Sequence, residues 1–427
     1  MRAITTTDML LHHAASCGYA FADVTGQQLG NPSHEIAANA DDLLFASMNT
    51  NTCRDTLPIV AITPATSTLL DILRAGAALV VFAHHFSVSW FFPRLGIGAD
   101  VGHDAVILFF VLSGYLIAYS IEGHRRRTLR DYTMARLSRL YSVLLPALML
   151  TVLLLKIGEK CNPEFYQQFY RGFDSLRFLI ASCLQQEVWF MSASPPTNGV
   201  LWSLSYEFWY YVIFGIWIYC RHHQTGKWFL LGALLMAGPK ILLLFPVWMM
   251  GACAFFFSKR IRIHPYVAAM GFLGVLALFA VLLRTKWRGP AALGITPLYH
   301  SGWFLSDYVS GLLLSAALVF FGKSFEMCSF PRALVRAAKA SADVSFSLYL
   351  YHYPLLIFSA ALVPFDHNSA FQALCVGGGI LIIVVLLSMV TEARRNDLHQ
   401  WLEKLAARVC GPPTKLISQS SPASSSQ

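Results

Sequence analysis

The sequence predicts an all-α fold, a polytopic transmembrane helical bundle of about ten spans with both termini cytoplasmic, and three observations carry that expectation. Hydrophobic residues make up 56% of the 427-residue chain and charged residues only 13%, with a mean hydropathy of +0.53. Soluble domains do not show that balance. Apolar stretches of roughly 18 residues or more, enough to cross ~30 Å of hydrocarbon at 1.5 Å per helical residue, recur about ten times. Finally, lysine and arginine crowd into alternate gaps between those stretches, as short cytoplasmic loops require.

In chain order the spans are expected near 69–91, 102–121, 137–157, 200–220, 228–245, 246–258, 266–284, 304–321, 344–364 and 369–391. The fifth and sixth are one apolar run broken around Pro239, Lys240 and Pro246. Residues 177–191 are too short, and too interrupted by "QQE", to span; they read as a re-entrant or interfacial piece. With the N-terminus inside, 22 of the 32 basic residues fall on the cytoplasmic side, 8 outside, and two, Arg74 and Lys240, within spans. Topology thus accounts for the net charge of +9, and no nucleic-acid partner is implied.

Residues 1–65 read as a flexible cytoplasmic extension without a signal-peptide layout, 66–393 as the membrane domain, and 394–427 as a Ser-rich cytoplasmic tail. The nine cysteines are scattered without CxxC spacing, so neither a metal site nor a disulfide framework is expected. No internal repeat is visible.

Several ionisable residues stand where hydrocarbon would charge ~2.5 to 3.5 kcal/mol for each. In "LDILRAGAALVVFAHHFSVSW", Arg74 lies one turn inside the cytoplasmic boundary, where it can snorkel or pair with Asp71. Eleven residues at 100° each bring His85 within about 20° of the Arg74 face, ~16 Å along the axis. One helix face therefore offers an anion-binding cation at one depth and a proton-transfer group at another. His84 points some 80° away.

Asp104 opens "GHDAVILFFVLSGYLIAYSI" at the outer end of the second span. It reads either as a carboxylate orienting His85 or as an ordinary helix-start aspartate. Ser113 and Gly114 look like a small-residue packing site. Arg136 and Arg139, at i and i+3, satisfy the positive-inside rule and could also grip the phosphates of a nucleotide-like ligand. Glu207 sits at the wrong offset from Ser203 and Ser205 for simple capping. His352 lies near mid-membrane, with Tyr349 one turn before it and Pro354 loosening the helix after it.

These blocks together resemble acyltransferase family 3, the integral-membrane O-acyltransferases of bacterial glycans. The resemblance rests on "LDILRAGAALVVFAHHF", with arginine and histidine eleven apart; "GHDAVILFFVLSGYLI", similar to the family's G-x-D-x-F-F-x-x-S-G-F block; "RLSR", similar to R-x-x-R; "LWSLSYE"; and "SLYLYHYPL". It covers about 69–391. Its second block departs from the pattern, with extra length at Ala105, Val106 and Ile107 and Tyr115 where phenylalanine is common.

The resemblance implies transfer of an acyl group, usually acetyl, from cytosolic acyl-CoA or acetyl-CoA to a saccharide hydroxyl at the outer face, in a cell membrane that would be a bacterial inner membrane. The implied partners are an acyl-CoA donor, a saccharide or glycan acceptor and the lipid bilayer, with no metal. In the residue reading that accompanies it, His85 is the general base with Asp104 or Glu207 orienting it, and Arg74 holds the donor or stabilises developing charge. Arg136 and Arg139 join Arg74 in binding the cofactor-like donor, while Ser205, Tyr349 and His352 line or position substrate. Direct transfer and a covalent acyl-enzyme are both compatible with this set. A transporter using the membrane arginine and histidine as a pathway is the competing class, disfavoured by unequal span spacing and the missing repeat.

Overall fold

The computed structural model describes residues 62–87, 92–123, 128–285, 298–326, 328–366, 368–392 and 394–410. The bulk of the expected N-terminal extension, the Ser-rich end of the tail and Arg125, Arg126 and Arg127 lie outside the described residues. Among those described, every regular element is helical. They are α1 (Pro64–Ser87), α2 (Ala99–Glu122), α3 (Leu129–Cys161), α4 (Pro163–Gln167), α5 (Asp174–Ser182) and α6 (Trp202–Cys220), then α7 (Gln224–Arg260), α8 (Pro265–Thr285), α9 (Phe304–Ser324), α10 (Arg332–Leu362), α11 (Ala370–Thr391) and α12 (Arg395–Cys410).

Local chemistry sets several boundaries. Thr128 starts α3 through a capping box: its side chain accepts from Asp131 N at 3.3 Å while Asp131 Oδ2 accepts from Thr128 N at 2.9 Å. The Asn162 side chain caps α4, where Pro163 occupies a first-turn position that needs no N–H. Pro354 sits inside a continuous α10. The carbonyl four residues earlier that it leaves without a helical donor, Leu350 O, instead takes Asn198 Nδ2 at 3.4 Å.

Among the described residues, eight helices are long and apolar enough to cross a membrane by length and composition, against the ten spans expected. The difference has two physical sources. α6 is 19 residues long but dense in Trp, Tyr and Ser, which lowers its hydropathy. The fifth and sixth expected spans share α7, and the division falls at Gly238 (φ 78°, ψ 172°), not at 245/246. Only glycine adopts that backbone freely.

The chain doubles back at this glycine. Gly226 packs against Cys220 at the end of α6, whereas beyond the break Tyr210 bonds Ile241 O at 3.2 Å and Phe214 meets Trp248 at 5.0 Å. Residues 224–237 therefore run against α6 and residues 239–260 run with it. The segment 183–197 folds into this reversal: Trp189 N donates to Ala237 O at 3.1 Å, and Lys240 pairs with Glu187, both side chains fully buried. That pairing resolves the charge of the second basic residue placed within a span.

The second arm of α7 crosses α2 at two reciprocal glycines. A Cβ on Gly114 would overlap the backbone of Trp248, and one on Gly251 the backbone of Val111. Small residues here let the two backbones approach closely, as membrane helix pairs require. Asp104 also belongs to this packing, accepting from Ser310 of α9 at 3.1 Å. α1 and α10 run parallel: Arg74 shares a pocket with Ser345 and Phe346, and His85 bonds His352.

Candidate active site

Two cavities among the described residues bring several of the sequence-predicted site residues together. The larger, about 460 Å³, is lined by the C-terminal part of α1 and the N-terminal part of α2, and also by 169–202, His300, Trp303, Tyr349 and Tyr353. The smaller, about 50 Å³, is lined by Arg74, Arg139, Ser113, Ser203, Glu207 and Ser345 among apolar residues of α2 and Phe346. Val106 and Tyr349 line both, so the two spaces meet at these side chains. Tyr349 is held there by Ser203 Oγ at 2.7 Å and donates to Val200 O at 3.0 Å.

His85 faces the larger cavity, and its hydrogen bonds define its tautomer. A carbonyl oxygen only accepts, so His352 Nδ1, 2.8 Å from Leu348 O, carries a proton, and in the neutral ring Nε2 is an acceptor. By the same reasoning His85 Nδ1 carries its proton, 3.0 Å from Val81 O and 3.1 Å from His352 Nε2. His85 Nε2 is left as the basic nitrogen. His352 is fully buried and lines neither cavity; its Nε2 faces His85, and its ring also meets Phe82, Tyr349 and Tyr353.

The sequence-predicted residues therefore divide differently from their expected grouping. His85 meets His352, not the carboxylate anticipated for it: Asp104 lines neither cavity, and Glu207 belongs to the Arg74 pocket. There Glu207 Oε1 accepts from Ser113 Oγ at 2.7 Å and from Tyr211 OH, while Trp248 Nε1 donates to Ser113 at 3.2 Å. Ser113, expected to serve packing, is the hub of that network. Ser205, expected to line substrate, is fully buried and lines neither cavity. Two residues from Ser203 is 200° around the helix, and Ser205 donates to Leu184 O at 2.8 Å.

Arg74 and Arg139 share the smaller pocket, and neither guanidinium has a hydrogen-bonded or ion-paired partner among the described residues. The Asp71 pairing expected from i−3 spacing is not made. Arg136 turns elsewhere, donating to Ser120 Oγ at 3.0 Å and lying over the Tyr132 and Tyr211 rings at 5.6 and 5.9 Å. Of the two arginines in "RLSR", only Arg139 reaches the pocket.

Sequence reasoning missed a histidine–carboxylate pair at the larger cavity. His103 lines the larger cavity with Nε2 2.9 Å from Asp307 Oδ1, and Asp307 is fully buried. The His103 ring is parallel to Trp202 at 6.2 Å, and Trp202 stacks on His300 at 4.1 Å. Burial pushes His300 down to about 3, so that ring is neutral. The signal was available: Asp307 is a charge inside the eighth apolar stretch, subject to the same insertion cost as Arg74.

The acyltransferase-3 family profile, described as an acyltransferase domain, matches residues 68–392. The chain is 24% identical over 384 residues to acyltransferase MdmB of Streptomyces mycarofaciens, spanning 79% of this chain and 91% of that protein. It is 29% identical over 223 residues to the O-acetyl transferase of Shigella phage Sf6, spanning 46% of this chain and 63% of the phage protein. No solved structure matches the chain.

Proposed function

Starting from the chain's membership of the acyltransferase-3 family, and hence from a multi-pass membrane acyltransferase, we propose that it moves an acetyl group from acetyl-CoA on the cytoplasmic side to a saccharide hydroxyl on the outer side. The observation that carries this reading is the meeting of an arginine-bearing pocket and a histidine-bearing cavity at Val106 and Tyr349. The O-acetyl transferase name of the phage relative supports acetyl as the group and oxygen as the acceptor.

The chemistry follows from the two spaces. Arg74 and Arg139 attract the anionic donor, their guanidinium forks being suited to phosphate. The ~16 Å between Arg74 and His85 along α1 is a distance that the extended pantetheine arm of CoA can span, with the thioester delivered to the neck at Tyr349. His85 Nε2 takes the proton of the acceptor hydroxyl as its oxygen attacks the thioester carbonyl. The tetrahedral intermediate collapses with cleavage of the C–S bond, the imidazolium returns the proton to the departing thiolate, and the products are the O-acetyl ester and free CoA.

His352 holds the base in position by accepting from His85 Nδ1–H. Asp104 belongs to helix packing in this account, and Glu207 orients Ser113 and Tyr211 at the donor end. Direct transfer is favoured because His85 already faces the acceptor space. The protein would act in a bacterial inner membrane.

Purified protein in lipid nanodiscs, given radiolabelled acetyl-CoA and cell-surface glycans, should place the label on the glycan in an alkali-labile bond. His85→Ala, provided it inserts and purifies normally, should not. Full transfer by that variant would overturn the assignment of the base.

A further inference from the structure

We infer that the acceptor is anionic, a saccharide carrying a carboxylate or phosphate close to the hydroxyl that is acylated. This inference rests on the acyl-transfer reading and names the substrate class of the same site.

The larger cavity has no aspartate or glutamate among its lining residues, whereas Arg171 and Arg177 both line it. Arg177 is prepared as a donor: its Nε and one terminal nitrogen donate to Gly172 O at 3.1 Å and Ser192 O at 3.3 Å. Two backbone carbonyls thus fix the fork while three of its five N–H groups remain. Neither arginine forms an ion pair with a side-chain carboxylate among the described residues.

Their position sharpens the point. On the proposed orientation both lie on the outer side, where basic residues are few and bring no topological benefit. Trp303 and Tyr353 also line the cavity, and aromatic side chains suit the C–H faces of a sugar. At about 460 Å³ it has the size of a small-molecule site. An aromatic lining with two cations that have no ion-paired carboxylate among the described residues fits a sugar ring bearing a negative group better than a neutral sugar.

Calorimetric titration of the full chain in nanodiscs of neutral lipid tests this with three probes: methyl glucuronide, glucose 1-phosphate and methyl glucoside. At low ionic strength at least one anionic probe should bind roughly 10-fold or more tighter than the glucoside, and about 0.5 M salt should shrink the difference. Which anion binds better identifies carboxylate or phosphate. Arg177→Gln should remove most of the preference. Should Arg177→Gln fail to fold, the more exposed Arg171→Gln provides the same reading.

Equal binding of all three probes, or a preference unchanged in folded variants, would overturn the inference. A preference that survives only in nanodiscs of anionic lipid would also overturn it, by marking a lipid headgroup as the occupant. Selective, arginine-dependent binding without acyl transfer to any acceptor would support anion recognition while sinking the acyl-transfer reading.

Discussion

The two cavities differ in size, chemistry and the company their charges keep. The larger, about 460 Å³, joins two histidines with side-chain partners, His85 with His352 and His103 with Asp307, to Arg171 and Arg177. The smaller, about 50 Å³, holds two unpaired arginines in a mainly apolar throat. A paired histidine has a defined tautomer and a defined basic nitrogen, which is what proton transfer needs. An unpaired guanidinium in an apolar surrounding awaits an anion, which is what donor binding needs. On the proposed mechanism, the face shared by Arg74 and His85 on one helix would serve two separate tasks.

If that division is right, variants at the two ends should fail differently. The largest effect is expected for His85→Ala: a fall in kcat of about 10²- to 10⁴-fold with little change in donor KM, read by labelled acetyl transfer. Arg74→Gln should act at the other end, raising donor KM by about 10- to 100-fold, as loss of a charge-assisted contact of about 1.5 to 3 kcal/mol implies. If Arg74→Gln lowers kcat alone, the division between the two spaces is wrong.

His352→Phe tests the histidine dyad, since it keeps bulk but removes the acceptor from His85 Nδ1–H. A loss of up to about 10-fold in kcat is expected, the worth of one hydrogen bond. The acidic limb of the kcat/KM profile should move with it. A purely structural role would leave that limb in place. The smallest effect is expected for Ser205→Ala, which loses its bond to Leu184 O and about 1 kcal/mol of stability, seen as a lower thermal midpoint with unchanged kinetics. A change in acceptor KM would return Ser205 to the site.

Much of this was legible in the sequence, for reasons that particular residues show. Apolar periods and basic gaps gave the bundle, because the bilayer constrains both strongly. The Arg74–His85 face followed from helical geometry alone, since α1 is unbroken across it. What escaped were relations between helices. Nothing in the spacing of Asp104 and Glu207 says that His85 will instead meet His352, 267 positions away, because that contact depends on how α1 and α10 pack. The α7 reversal was legible in part: the break was expected around Pro239, Lys240 and Pro246, and Gly238, next to Pro239, is the residue whose backbone permits it, although the span boundary was drawn at 245/246. His103 was obscured by its neighbour, Asp104 having the more familiar motif position.

The central claim is that the two cavities form one site reached from opposite sides of the membrane. Sealed inside-out vesicles, with labelled acetyl-CoA outside and the acceptor glycan trapped inside, test it most directly. The account predicts labelled glycan in the lumen, dependent on His85, while the donor stays outside. Labelled glycan formed only when donor and acceptor share a compartment would contradict it.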